Sequence, residues 1–189
     1  MSLAHRLGFA AIACLFAAPL PAAAALIMHK DLSLDIAKTI AEGAIAACNA
    51  KGYGTSAVVV DRDGMTIVEM RADTASPHTM ENARRKAYTA MTFKQPTAEY
   101  AKKLLDLASV AHQQVTLPSI IAIDGGVPIK VGNETIGSVG VSGAPGGEKD
   151  EACAKAGNDV IGGIGVSGSP GVDDDCVNGG LEKVKDQLQ

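Results

Sequence analysis

The stretch Ser56-Ala-Val-Val-Val60-Asp61-Arg-Asp-Gly64-Met65-Thr-Ile-Val-Glu-Met70 decides the fold. Ser56–Val60 is a short β-branched run, and Met65–Met70 is a second strand-like run. Between them Asp61-Arg-Asp-Gly64 supplies a tight turn, with glycine where a positive φ is wanted. Two strands joined by four turn residues pair antiparallel, so this segment predicts a β-hairpin.

Working outward, Asp31-Leu-Ser-Leu-Asp35 opens a helix. Ser33 or Asp31 can cap it, and Asp35 favours its positive end. Leu32, Ile36, Ile40, Ala44 and Cys48 recur every four residues, which predicts an amphipathic helix to about Ala50, stopped by Lys51-Gly52-Tyr53-Gly54. On the other side, Ser76-Pro77 starts a helix carrying Met80, Ala83, Ala87, Ala90 and Met91 on one face and ending before Pro96. Thr97–Tyr100 begins another, in which Ala101, Leu104, Leu105 and Ala108 are expected to face inward. Ser119–Ile123, Val127–Val131 and Thr135–Val141 read as three further strands, linked by Gly125-Gly126 and Gly132-Asn133. Gly137 and Gly140 inside the last of these predict close approach of another backbone or a ligand. About five strands joined mostly by tight turns give an α+β layered architecture, a central antiparallel sheet flanked by helices.

Composition narrows the rest. Apolar residues make up 47% of the 189, charged residues 20% and aromatics only 3%, so the core must be built mostly from Ala, Val, Ile and Leu. The net charge is −4 with no basic block, which argues against a nucleic-acid partner, since that needs a concentrated cationic face. Residues 1–25 combine a charged start, the uncharged run Leu7–Leu20 and the alanines Ala22–Ala25. This predicts a secretory signal peptide and a periplasmic or secreted protein, with no membrane span after cleavage. The run is too short and too broken by Pro19 and Pro21 to span a bilayer. Cleavage near Ala25 leaves 164 of the 189 residues, a size that suits one domain, with the domain itself placed at 26–160.

Of the three cysteines beyond the leader, Cys48 falls on an apolar helix stripe and reads as a buried free thiol. Cys153 with Cys176 is then the one pair to consider as a disulfide. The segment 161–189 is a partial repeat. Ile136-Gly-Ser-Val-Gly-Val-Ser-Gly-Ala-Pro-Gly146 recurs as Ile161-Gly-Gly-Ile-Gly-Val-Ser-Gly-Ser-Pro-Gly171, and Cys153 and Gly157 answer to Cys176 and Gly180. Such a copy could add an edge strand and help build an oligomer.

No G-x-S-x-G, H-E-x-x-H or Walker loop is present, so no catalytic residue is assigned. Gly140-Val-Ser142-Gly143 reads instead as a tight loop whose amides suit an anion. Glu148 and Glu151, three apart in a first helical turn, complement a helix dipole. His29, His78 and His112 are too far apart in sequence for a metal-ligand spacing, yet haem needs only one or two protein donors.

The stretch Lys86-Ala-Tyr-Thr-Ala90, Phe93 and Pro96-Thr-Ala-Glu99 resembles the motif helix of the GlcG/HbpS family, also called the haem-degrading domain. Val60–Gly64, Gly125–Ile129 and Ile136–Gly143 match the same family in order. The resemblance implies an antiparallel sheet flanked by helices, a profilin/PAS-like sandwich, usually assembled as a homo-oligomer. It also implies a haem cofactor, or haem-derived iron. Carried over, Lys86, Tyr88, Thr89 and Phe93 would line the pocket, Arg84 and Arg85 would meet haem propionates, Ser142 would sit on the anion loop, and His78 or His112 would serve the iron. The leading expectation is an exported haem-binding protein. The alternatives are a protein acting on a small 2-hydroxy acid or aldehyde, held by Lys86 and Gly140–Gly143, and a structural or signalling oligomer without a ligand.

Overall fold

The computed structural model describes residues 26–161. Helix α1 (Leu34–Asn49) starts where Ser33 caps it, its hydroxyl accepting from Ile36 N–H at 3.3 Å. Strands β1 (Ser56–Asp61) and β2 (Thr66–Arg71) form the expected hairpin. The Asp61 carboxylate accepts from the N–H groups of Asp63 and Met65 at 2.9 and 2.8 Å, and Gly64 takes φ +78°. Then come α2 (His78–Phe93), a short α3 (Thr97–Lys102), a single-turn α4 (Ala111–Gln114), β3 (Gly126–Val131), β4 (Glu134–Ser142) and α5 (Gly147–Asp159).

The four strands form one fully antiparallel sheet in the order β2-β1-β4-β3. Strand alternation then divides the core. Ala57, Val59, Val139 and Val141 point to one face, where α1 and α5 cover them. Val58 and Val60 point to the other, against Ala83, Ala87 and Met91 of α2.

The seat of α2 explains the glycines of β4. Gly140 lies opposite Gly126 in the ladder, and a Cβ on Gly140 would overlap the carbonyl of Ala83, as one on Gly126 would overlap that of Lys86. Paired glycines let the helix backbone rest on the sheet, and the Ser138 hydroxyl locks it there by donating to Ala87 O at 2.6 Å. Gly140→Ala should therefore lower stability by about 1–3 kcal/mol, the usual cost of overpacking. Chemical denaturation tests this; an unchanged midpoint would show that α2 can lift without penalty.

Three expectations need correction. Ser119–Ile123 is not a strand, so among the described residues the sheet has four strands rather than about five. Its backbone groups are taken by α2 side chains: Ile121 N–H donates to the Thr89 hydroxyl at 3.0 Å, and Arg85 donates to Ile120 O at 2.7 Å. The helix from Thr97 does not run to Ala108. It ends at Lys102 and gives way to a tight turn, and Leu105 is 84% exposed. Asp106 ends the turn by capturing Ala108 N–H with its own carboxylate at 2.9 Å, a local bond that competes with helix.

The disulfide is also not the one anticipated. Cys48 is buried, as its stripe required, but it is bonded to Cys153, with a Cα–Cα distance of 5.5 Å. The helix pattern placed Cys48 in the core without revealing that α5 would lie beside α1. Small residues make this possible, since Gly157 sits directly against Ile40 and Ala44. Cys176 and the repeat from 162 onward lie outside the described residues, as does the expected signal peptide, residues 1–25.

Candidate functional site

Of the residues singled out from sequence, Lys86, Ser142 and His78 line one cavity beside α2 and Tyr88 and Phe93 line a second, while Arg84, Arg85, Thr89 and His112 line neither of the two. The first, of about 490 Å³, is polar and lies where β4, the start of α2 and the start of α5 meet. Lys86, Ser142 and His78 line it, together with Asn82, Gly143 and Asp150. Lys86 is only 1% exposed. An ammonium held out of water needs compensation, and it finds two acceptors: Asp150 Oδ2 at 2.7 Å and Val141 O at 2.9 Å. Asp150 Oδ1 in turn accepts from Ala144 N–H at 2.8 Å, fixing the loop between β4 and α5. Burial pulls the Lys86 ammonium below the usual lysine range, an effect opposed by the adjacent Asp150 carboxylate.

The second cavity, about 440 Å³, is an apolar groove between the C-terminal half of α2 and the segment following α4. Tyr88, Thr92, Phe93, Leu117, Pro118 and Ile120 form its walls. Phe93 is held flat against Tyr100, ring centroids 4.3 Å apart. Thr89 does not open into the groove; its hydroxyl anchors the groove's far wall through Ile121. Arg85 does the same through Ile120 O, and its Nε is buried without a hydrogen-bonding partner. Arg84 points elsewhere, paired at 2.9 Å with Glu81 on the same helix.

The two histidines are not brought together. His78 belongs to the polar cavity. His112 is exposed on α4 with its ring 3.2 Å from Asp106 O, two residues from Gln114 of the groove wall. Among the described residues no group of three His, Cys, Asp or Glu side chains could hold a metal ion, so Glu148 and Glu151 gain no further donor. Nor is any described helix long and apolar enough to cross a membrane.

Sequence reading missed Asp150. It sat in an acidic helix start that dipole complementarity already explained. The signal that pointed to it was Lys86 itself, a lysine set between Ala83, Ala87 and Ala90 on a buried helix face, which requires a carboxylate from elsewhere in the chain.

Residues 32–159 match the family model described as haem degrading protein, HbpS-like. The chain belongs to the HbpS-like family. A solved structure of a double variant of HbpS from Streptomyces reticuli is 37% identical and superposes with a TM-score of 0.69, covering 77% of this chain and 98% of that one. The ORFY protein of Klebsiella pneumoniae is 26% identical with a TM-score of 0.63, over 71% of this chain and 96% of that one. Both share the helix-flanked antiparallel sheet of the HbpS-like fold. An uncharacterized 15.0 kDa protein from the dhaT–dhaS intergenic region of Citrobacter freundii is 36% identical over 86 residues, which are 45% of this chain. The match spans 61% of that relative's length.

Proposed function

We propose that this protein is an exported haem-binding protein, and that haem occupies the apolar groove beside the C-terminal half of α2. The observation that carries the reading is the pairing of that groove with Arg85. A porphyrin needs apolar walls, which Phe93, Leu117, Pro118 and Ile120 supply, and its propionates need a cation. Arg85 does not line the groove itself; its guanidinium is held behind the wall on Ile120 O at 2.7 Å, as the cation that a propionate at that wall would approach. The polar cavity fits a porphyrin less well, since Lys86 and Asp150 would face the ring. Tyr88 within the groove and His112 beside it are the candidate iron donors; His78 is not.

Bound haem would supply an iron centre able to react with oxygen or peroxide, so slow haem loss can follow from binding. The protein's own part would be to exclude water with Phe93 and Leu117, to approach the propionates with the charge of Arg85, and to offer the Tyr88 phenol or the His112 imidazole to the iron. Export accords with the Cys48–Cys153 disulfide, since such bonds persist in oxidising compartments. Leu105, Leu107, Val110 and Leu117 are 84, 90, 60 and 55% exposed, apolar surface that self-association would cover, in keeping with a homo-oligomer.

Titrating haem into the purified protein should give a saturable Soret band. Tyr88→Phe or His112→Ala should shift it or weaken binding by about tenfold or more, the effect of losing an interaction of about 1.4 kcal/mol. His78→Ala should leave it unchanged. No saturable band, or loss of the band in His78→Ala alone, would overturn the assignment.

A further inference from the structure

The segment that forms β4 and α5 is written twice in this chain, once as residues 136–157 and again, in contracted form, from Ile161. We propose that residues 161–184 are a second occupant of the β4–α5 seat, so that the chain folds with either copy in place.

The seat makes specific demands. Towards α2 the strand must be bare at Gly140, where a Cβ would overlap Ala83 O. Towards α1 it must carry Val139 and Val141 into the core and be bare at Gly137, where a Cβ would overlap Leu32. The loop turns at Gly143 and Gly146, which take φ +131° and +129°. Helix α5 must then give Asp150 to Lys86, Cys153 to Cys48, and a glycine at 157, whose side-chain space is filled by Ile40 O and Ala44.

The second copy meets each demand in order. Gly162, Ile164, Gly165, Val166, Gly168 and Gly171 answer, 25 residues on, to the strand and loop positions just given. Asp173, Cys176 and Gly180 stand 23 residues after Asp150, Cys153 and Gly157, with their mutual spacing kept. An added edge strand would need none of these last three. A partner for Lys86, a partner for Cys48 and a bare position against α1 are required at one place in the fold.

Occupation is exclusive. Ile161 opens the second copy, yet at the end of the first it is 4% exposed and packed into the core beside α1. Cys48 is wholly buried and joined to α5, so Cys176 reaches it only when α5 has left. Two differences make the first copy the ordinary occupant. Gly163 replaces Ser138, whose hydroxyl donates to Ala87 O at 2.6 Å. Seating the second copy also lengthens the connection after β3 from residues 132–133 to residues 132–158. Each doubling of such a loop lowers its closure probability about threefold.

The disulfide reports which copy is seated, because exchanging Cys153 for Cys176 on Cys48 conserves one disulfide and one thiol. The test is peptide mapping of the purified full chain after equilibration in a glutathione redox buffer and acid quenching. Wild type should give Cys48–Cys153 with a minor share of Cys48–Cys176 inside one chain. Gly163→Ser restores the missing hydroxyl and should raise that share about fivefold, the effect of one hydrogen bond. Adding Gly165→Val, which sets a side chain against the α2 backbone, should lower it again by about tenfold or more. Both substitutions lie outside β4 and α5, so neither disturbs the first copy. A share that neither substitution moves would mark adventitious pairing of thiols and overturn the proposal. So would Cys48–Cys176 bonds found only between chains, or none at all in Gly163→Ser.

Discussion

Lys86→Met and Asp150→Asn, made singly, should each lower folding stability by about 3–5 kcal/mol, the cost of leaving a buried charge without its partner. Both side chains are almost wholly shielded, 2% and 5% exposed, so water cannot replace the lost ion. The double variant Lys86→Met/Asp150→Asn should lose much less than the sum of the two. It contains no buried charge, methionine fills the lysine stem's volume, and asparagine keeps a carbonyl oxygen for Ala144 N–H. Urea denaturation of the four proteins closes the cycle, with a coupling of about 0.5–3 kcal/mol expected for groups in direct contact. Strictly additive losses would mean that the pair is not coupled.

This site also marks how far the sequence could be read. The β-branched run of β1, the Asp61–Gly64 turn and the four-residue stripe of α1 rest on local chemistry, and each matches its element within a residue or two. Ser119–Ile123 has the composition of a strand, but whether it pairs depends on Thr89 and Arg85, more than thirty residues earlier, competing for its backbone. The split of the motif helix is of the same kind. Lys86, Tyr88 and Phe93 are neighbours in sequence, yet they turn to different cavities, because their angular positions on α2 matter only once β4 and the segment after α4 have docked on either side. The pairing of Lys86 with Asp150 and of Cys48 with Cys153 is fixed by where α5 lies, which no local pattern records.

Replacing both Cys48 and Cys153 by alanine should cost about 2–5 kcal/mol, the range for removing a native disulfide from a small domain. The bond closes a loop between residues 105 apart in sequence, and restricting so long a loop in the unfolded chain accounts for about 4.7 kcal/mol in the entropic model. The native contacts change little, because Gly43, Ala44 and Gly157 already hold α1 against α5. The loss should thus resemble that caused by reductant in wild type, and reductant should not affect the double variant. Non-reducing peptide mapping should recover Cys48 joined to Cys153. The repeat gives Cys176 the same place in its motif as Cys153, so recovery of Cys48 joined to Cys176 would show that the second copy takes the position beside α1. Equal stability of wild type with and without reductant would show instead that α1 and α5 are held by packing alone.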